Sequence, residues 1–230
     1  MVALGFIAGA SLAAKRAEKT GLSAKAINDV AMLCLIFGIL GAHVVSLLGE
    51  KPSVLWTEPW ILLQVWSGLS SYGGFLGAGI AVVVYFRRKK LSFFPYADAI
   101  MFGLFPGWML GRIGCFSVHD HPGRLSDFFL AVQFPGGARH DLGLYEAILA
   151  LLISGVIYWL GRKERPRGFF FALLLLLYPI PRFFLDFLRA SDLADSNPRY
   201  IGWTLPQYGS IALALWGVYL LVKIRATRRE

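Results

Sequence analysis

Arginines at particular spacings are the side chains in this sequence best suited to chemistry. In Arg182-Phe183-Phe184-Leu185-Asp186-Phe187-Leu188-Arg189, a carboxylate stands four residues after one arginine and three before another. Residues three and four apart on a helix are neighbours, so Arg182, Asp186 and Arg189 line one stripe. Arg112 follows the apolar run Ala99 to Leu110. Ionisable groups at membrane depth are costly and usually functional, so this guanidinium needs an anionic partner. Guanidinium donors match phosphate oxygens in a forked geometry. Arg112, Arg182 and Arg189 therefore suit a clamp on a lipid phosphate. Two plainer readings stand beside it: Arg112 snorkelling to the interface, and an Arg182–Asp186 ion pair that is purely structural.

Three further patches accompany the arginines. Ser71-Tyr72-Gly73-Gly74-Phe75-Leu76-Gly77 puts three glycines within five residues, which suits close helix packing, and Tyr72 could present a hydroxyl to a ligand. His119-Asp120-His121-Pro122-Gly123-Arg124 offers histidines for general acid–base work. Two histidines two apart, with no other ligand cluster, make a weak metal site, and neither metal nor cofactor is expected. In His140-Asp141-Leu142-Gly143-Leu144-Tyr145-Glu146, Asp141 suits a helix cap. Glu146, a carboxylate just inside an apolar segment, wants a cationic partner. Pro179 and Pro181 break the run that begins at Phe169 and free backbone carbonyls beside Arg182.

The elements that must position these groups are membrane helices. Of the 230 residues 57% are hydrophobic, with a net charge of +9. Apolar runs fall at 1–14, 30–48, 69–86, 95–116, 143–160, 168–188 and 207–224, and a span needs about 20 residues. The runs are continuous rather than alternating, which favours helices over a barrel. The expected fold is all-α and polytopic, with about seven transmembrane helices and an outer-side loop region. One domain is expected over 1–230. The first run is too short to span alone, so the natural amino terminus is expected upstream. Trp56, Trp60 and Trp66 read as an interfacial piece.

Charge fixes the orientation. Four basic clusters follow alternate apolar runs: Lys15, Arg16, Lys19 and Lys25; Arg87, Arg88, Lys89 and Lys90; Arg162, Lys163, Arg165 and Arg167; Lys223, Arg225, Arg228 and Arg229. The positive-inside rule makes these ends cytoplasmic and the loops 49–68, 117–142 and 189–206 outer. Arg112, Arg124, Arg139, Arg182, Arg189 and Arg199 then fall on the disfavoured side. The basic balance faces anionic lipid, and nucleic acid is not an expected partner. Cys34 and Cys115 both lie in apolar segments, which argues against a disulfide framework or a zinc knuckle.

Taken in order, the patches resemble the prolipoprotein diacylglyceryl transferase family. That family has a glycine-rich motif like Ser71 to Gly77. It has a Gly-Arg-x-Gly-Asn-Phe signature, here Gly111-Arg112-Ile113-Gly114-Cys115-Phe116, followed by Asp120, Gly123 and Arg124. Leu144-Tyr145-Glu146, the Arg182 to Arg189 motif and Gln207 complete the likeness. The resemblance implies an enzyme of the bacterial inner membrane, its active site toward the periplasm. Such an enzyme transfers the diacylglyceryl group of phosphatidylglycerol to the lipobox cysteine of a preprolipoprotein signal peptide and releases glycerol phosphate. It also implies catalytic roles for Arg112, Arg182, Tyr72 and Asp120. Substrate binding would fall to Gly73, Gly74, Gly123, Arg124, Tyr145, Glu146, Asp186, Arg189 and Gln207.

Four positions depart from the family pattern. Cys115 stands for its asparagine, His43 for an arginine, and Asp120 and Asp186 are each one methylene shorter than the usual glutamate. These departures motivate an alternative, a paralogue that binds or moves anionic phospholipid without the chemistry. A small anion transporter is disfavoured by the lack of internal repeats.

Overall fold

Within a bilayer each backbone polar group must be satisfied internally, so long apolar runs close as helices. The computed structural model describes residues 1–50, 58–64, 68–193 and 199–227; Trp56 and Trp66 lie outside them. Among the described residues, five helical stretches are long and apolar enough to cross a membrane: Ala24–Leu48, Phe93–Val118, Leu142–Leu160, Phe169–Leu188 and Leu205–Ala226. The chain is thus a mostly helical, multi-pass membrane protein. The other two expected spans fall on helices whose last turns carry the basic clusters, which lowers their apolarity. These are α1 (Val2–Lys19) and α3 (Ser71–Lys89). The chain divides into two compact units, Ser23–Phe93 and Met1–Leu22 with Phe94–Glu230.

The Ser23–Phe93 unit is the pair α2 (Ala24–Glu50) and α3, with a 3-10 turn at Pro59–Leu63. Glycine governs how closely the two helices approach. A Cβ on Gly73 would lie 2.2 Å from the Gly41 carbonyl oxygen, one on Gly41 2.4 Å from that of Gly73, and one on Gly77 2.1 Å from that of Phe37. Backbones this close leave no room for a methyl group, the small-residue packing that membranes favour. Gly74 makes only ordinary contact, 3.6 Å from the Gly38 oxygen. At the basic end, Asp29 accepts from Lys25 Nζ at 3.1 Å and from Tyr85 Oη at 3.0 Å.

The other unit is built on α4 (Phe93–Val118). Helix α1 lies on it through the same device: Cβ atoms on Gly103 and Gly5 would fall 1.9 and 2.4 Å from the Gly9 and Gly107 oxygens. Against α4 pack α5 (Leu142–Leu160) and α6 (Phe169–Leu177), with Phe102, Phe105, Ile153, Ile157 and Phe170 in the shared core. Helix α8 (Leu205–Thr227) covers Ala172 and Leu175 of α6. Outward-facing Leu152, Trp159 and Val222 remain exposed, as lipid contact requires.

At the basic end of this unit, Asp98 reaches the start of α6. Its carboxylate accepts from Gly168 N at 2.6 Å and Phe171 N at 2.9 Å, satisfying donors that a helix start leaves orphaned. Arg16 stacks 4.0 Å over Phe102 and donates to the Gly161 carbonyl. The basic ends of α1 and of the α5–α6 turn therefore meet.

The opposite end carries a small head. Strand β3 (Gly137–Asp141) pairs antiparallel with both β1 (Pro122–Leu125) and β2 (Val132–Phe134). The tight turn into β3 uses Gly136 at φ +93°, a left-handed position that suits glycine. A second hairpin, β4 (Arg199–Tyr200) with β5 (Trp203–Thr204), turns through Ile201 and Gly202, both at positive φ. Gly123 of β1 bridges the backbone of Arg189. The helical expectation holds for the spans. The sheet was not expected, because the 117–142 segment reads only as a polar loop.

Helix α6 ends at Tyr178 and α7 (Pro179–Leu185) starts at once, followed by a 3-10 turn, Asp186–Leu188. Proline has no N–H to donate, so the break falls where the prolines predict it.

Enlarging Gly77 should therefore separate α2 from α3. Gly77→Leu is expected to lower stability in detergent by about 1–3 kcal/mol through overpacking. Gly79→Leu, where nothing lies within 4 Å of the added carbon, should leave thermal unfolding nearly unchanged.

Candidate active site

One carboxylate joins two spans at the head end of the helices. Glu146, in the second turn of α5, is fully buried. Its Oε2 lies 2.9 Å from Arg112 Nη2 of α4, and its Oε1 lies 3.3 Å from Arg182 Nε of α7. Tyr178 donates to Oε2 at 3.3 Å. The arginines that the sequence put on different spans thus come within one carboxylate's width. Burying such charges is tolerable only when they are paired.

The chain of contacts extends in both directions. Arg182 Nη1 donates to Asp186 Oδ1 at 2.8 Å, and Arg189 Nε donates to the same oxygen at 2.6 Å. This is the stripe that the spacing predicts, completed by Thr204, whose hydroxyl donates to Asp186 Oδ2. On the other side, His121 Nδ1 donates to Asp120, which leaves Nε2 to accept from Arg112 Nη1 at 3.2 Å. The Arg112 guanidinium also sits 4.9 Å over the Trp108 ring. Among the described residues, the buried side-chain polar atoms without a hydrogen-bond partner are Trp108 Nε1 and Glu146 Oε1. Both belong to this cluster. The Glu146 oxygen is still ion-paired with Arg182, so the orphan is the Trp108 N–H, and orphaned buried polar atoms are uncommon and often mark function.

Supporting residues hold the cluster's elements. Asp141 caps α5, its Oδ1 accepting from Leu144 N at 3.1 Å, while His119 Nδ1 donates to its Oδ2 at 2.9 Å. A Cβ on Gly123 would meet the Leu188 carbonyl oxygen at 2.6 Å, so glycine lets β1 lie against the Arg189 segment. Gln207 is fully buried and lies behind the cluster. It accepts from Thr204 N at 2.9 Å and donates to the Phe183 carbonyl at 3.1 Å. Those bonds hold the start of α8 against α7, and with it Thr204 on Asp186.

Other expected residues sit elsewhere. Tyr145 Oη lies 2.7 Å from His140 Nδ1 rather than on the arginines. Arg124 is exposed on β1; partial burial of the His140 ring, and secondly the Arg124 charge, hold the His140 pKa below the usual imidazole value. Gly73 faces α2 and Gly74 lies beside it. The side chain of Tyr72 lies outside the described residues. His43 is buried and donates to the Ile61 carbonyl at 3.0 Å, pinning the 3-10 turn.

Arg139 and Arg199, two of the six arginines expected on the outer side, make contacts within the head. Arg139 makes a two-pronged pair with Asp192, at 3.0 and 2.6 Å, and donates to the Gly123 carbonyl. Arg199 donates to Gly202 O within its hairpin. The Arg139 hydrogen bonds hold the Asp192 pKa below the usual carboxylate value. Sequence reasoning passed over Tyr178 and Trp108. Each stands four residues before an arginine of the cluster, so helical spacing was the available signal.

Fold and site together define a multi-pass membrane protein with a guanidinium–carboxylate cluster at one end of its spans. The chain belongs to the prolipoprotein diacylglyceryl transferase family, whose model matches residues 1–223. It is similar to the phosphatidylglycerol–prolipoprotein diacylglyceryl transferase of Chromohalobacter salexigens, with 32% identity covering 96% of this chain and 85% of that one. The relatives of the same name in Oleidesulfovibrio alaskensis and Geobacter sulfurreducens are 33% and 34% identical. They cover 96% and 84% of this chain, and 85% and 76% of their own lengths are matched.

Two outcomes follow from these contacts. Glu146→Ala leaves two guanidinium groups facing each other without their shared anion. It should destabilise the protein by about 3–5 kcal/mol, the range for breaking a buried pair, and Glu146→Gln by less, both read by thermal unfolding. Asp192 has a depressed pKa, so its pairing with Arg139 contributes above the unfolded carboxylate value, about 3.9. That contribution disappears as pH falls through the lower folded value. The stability gap between wild type and Asp192→Asn should be flat from neutral to mildly acidic pH and close only below about pH 4. A gap that widens on acidification would contradict the pairing.

Proposed function

We propose that this protein transfers the diacylglyceryl group of phosphatidylglycerol to a cysteine thiol of a prolipoprotein, acting in the bacterial inner membrane with its head on the periplasmic side. The observation that carries the reading is the convergence of Arg112 and Arg182 on Glu146. Residues 1–230 act as one membrane-embedded transferase domain.

In the reaction the sulfur of the lipobox cysteine attacks the glyceryl carbon that bears the phosphate ester. A C–S bond forms, the C–O bond breaks, and its electron pair stays on the phosphate oxygen. The thiol proton goes to a base, and glycerol phosphate leaves. Negative charge therefore grows on the leaving phosphate, where preorganised cations contribute most. In the buried part of the chain of contacts, Arg112, Arg182 and Arg189 provide three positive charges against two from Glu146 and Asp186, Asp120 being exposed and bonded to His121, and that buried surplus favours an anionic ligand. Each guanidinium has five donors, and the contacts above engage at most two on any one of them.

Thiolate is the nucleophile, so a proton acceptor is needed. His119 suits this role. Its Nδ1–H is held by Asp141, which leaves Nε2 as the acceptor, whereas both nitrogens of His121 are already engaged. Tyr72 and Asp120 keep the catalytic roles that the resemblance implies, and Gly73, Gly74, Gly123, Arg124, Tyr145 and Gln207 keep the substrate-binding roles that it implies.

Purified protein given phosphatidylglycerol and a lipobox peptide should release glycerol phosphate and add one diacylglyceryl group to the peptide. Arg182→Ala should lower turnover by at least ~10²-fold, as loss of a donor to a developing oxyanion does. Arg199→Ala, in the exposed hairpin, should change it little. Phosphatidylglycerol binding without glycerol phosphate release from the wild type would leave only the lipid-binding paralogue.

A further inference from the structure

Helix α4 ends in a backbone arrangement that folds the following residues over its last turn. His119 is left-handed at φ +52°. Its N–H reaches the Phe116 carbonyl at 3.2 Å, and the N–H of Asp120 reaches that of Cys115 at 3.5 Å. This pair of bonds is the Schellman ending, which sets residue 120 beside residue 115 whatever side chains they carry. The result is a cluster that the sequence does not display as one. Cys115 Sγ, a carboxylate oxygen of Asp120 and a ring nitrogen of His121 lie within 4.8 Å of one another. His119 takes no part, because its ring turns to Asp141. The sequence shows His119 and His121 as an isolated pair, and the fold exchanges His119 for Cys115.

Thiolate, imidazole and carboxylate are the ligand types of Zn²⁺, at about 2.0–2.3 Å each. Two ligands of one tetrahedral ion then stand about 3.3–3.8 Å apart, so side-chain shifts of about 1 Å would close the site, and a fourth position stays open to water.

We propose that Cys115, Asp120 and His121 bind a borderline-soft divalent cation of the Zn²⁺ type, and that the bound ion lowers transferase activity by taking His121 away from Arg112. The second half rests on the transferase reading above. The coupling follows from tautomer chemistry. If Nε2 takes the ion, the acceptor for Arg112 Nη1 is lost directly. If Nδ1 takes it, the ring proton moves to Nε2, which becomes a donor facing a donor. The thiol proton is released on binding, and no oxidation state changes.

Full-length protein in detergent is titrated with Co²⁺ as a spectroscopic probe and then with Zn²⁺. The expected result is thiolate-to-cobalt charge-transfer absorption that saturates at one ion per chain and is discharged by Zn²⁺, with Mg²⁺ causing no change. Cys115→Ser should abolish the band, and Cys34→Ser should keep it. A wild type without the band, or a band that survives Cys115→Ser or is lost in Cys34→Ser, overturns the site. In the activity assay, Zn²⁺ should lower wild-type turnover by about 10²-fold, the scale of misplacing a positioned group by about 1 Å. A chelator should restore it, and Zn²⁺ should leave the rate of Cys115→Ser where it was. Undiminished wild-type turnover alongside the cobalt band overturns the inhibitory half. No turnover from metal-free protein with the band intact counts against the transferase reading and not against the cation site.

Discussion

A single buried carboxylate organises the membrane part of this site. Glu146 touches Arg112 of α4 and Arg182 of α7 from its own helix, α5, and so ties three segments together by charge. In a low-dielectric interior such a tie is strong only while it is complete. The same completeness fixes where the guanidinium groups point. Two cations held to one anion cannot rotate away to the interface, which is what an arginine near a membrane surface otherwise does. Arg112 is therefore a held side chain and not a snorkelling one. The structural ion pair of Arg182 with Asp186 is present as well. Pairing and ligand binding are compatible here, because the carboxylates orient the donors without consuming them.

The rest of the unit makes that geometry repeatable. Asp98, at the far end of α4, holds the start of α6 through two backbone donors. Near its other end α6 presents Tyr178 to Glu146. Gly123 brings β1 against the Arg189 backbone, and Gln207 carries Thr204 to Asp186. Each of these residues acts on the cluster through position. This explains why so many polar groups near the site are buried and bonded.

Much of this was legible in the sequence, because membrane physics is strict. Continuous apolar runs imply helices, and the basic clusters imply which ends lie together, as the Arg16–Gly161 contact bears out for α1 and the α5–α6 turn. The Arg182–Asp186–Arg189 stripe follows from spacing alone. The head was not legible. Its strands are two to five residues long, and their pairing depends on turns such as Gly136–Gly137 and Ile201–Gly202, not on an apolar alternation. Nor could the sequence divide the arginines at this end of the helices into those of the cluster and those of the head. Arg139 and Arg112 look alike until Asp192 and Glu146 are placed beside them. Trp108 and Tyr178 were overlooked because aromatic residues in apolar runs read as core.

On the proposed function, charge balance is what connects this architecture to a lipid headgroup. A cluster with equal numbers of arginines and carboxylates would be a structural knot with no need of a ligand. Here the buried carboxylates fall one short of the guanidinium groups, and the buried Trp108 N–H has no hydrogen-bond partner. In that proposal a phosphate diester brings one negative charge to balance the cations, and oxygen acceptors of the kind the indole N–H lacks. When the ester bond breaks, the departing phosphate gains a second charge, and the cationic groups already in place attract it more strongly than they attracted the diester. Ground-state binding and acceleration of the chemical step then arise from one arrangement, with the larger share falling where charge develops.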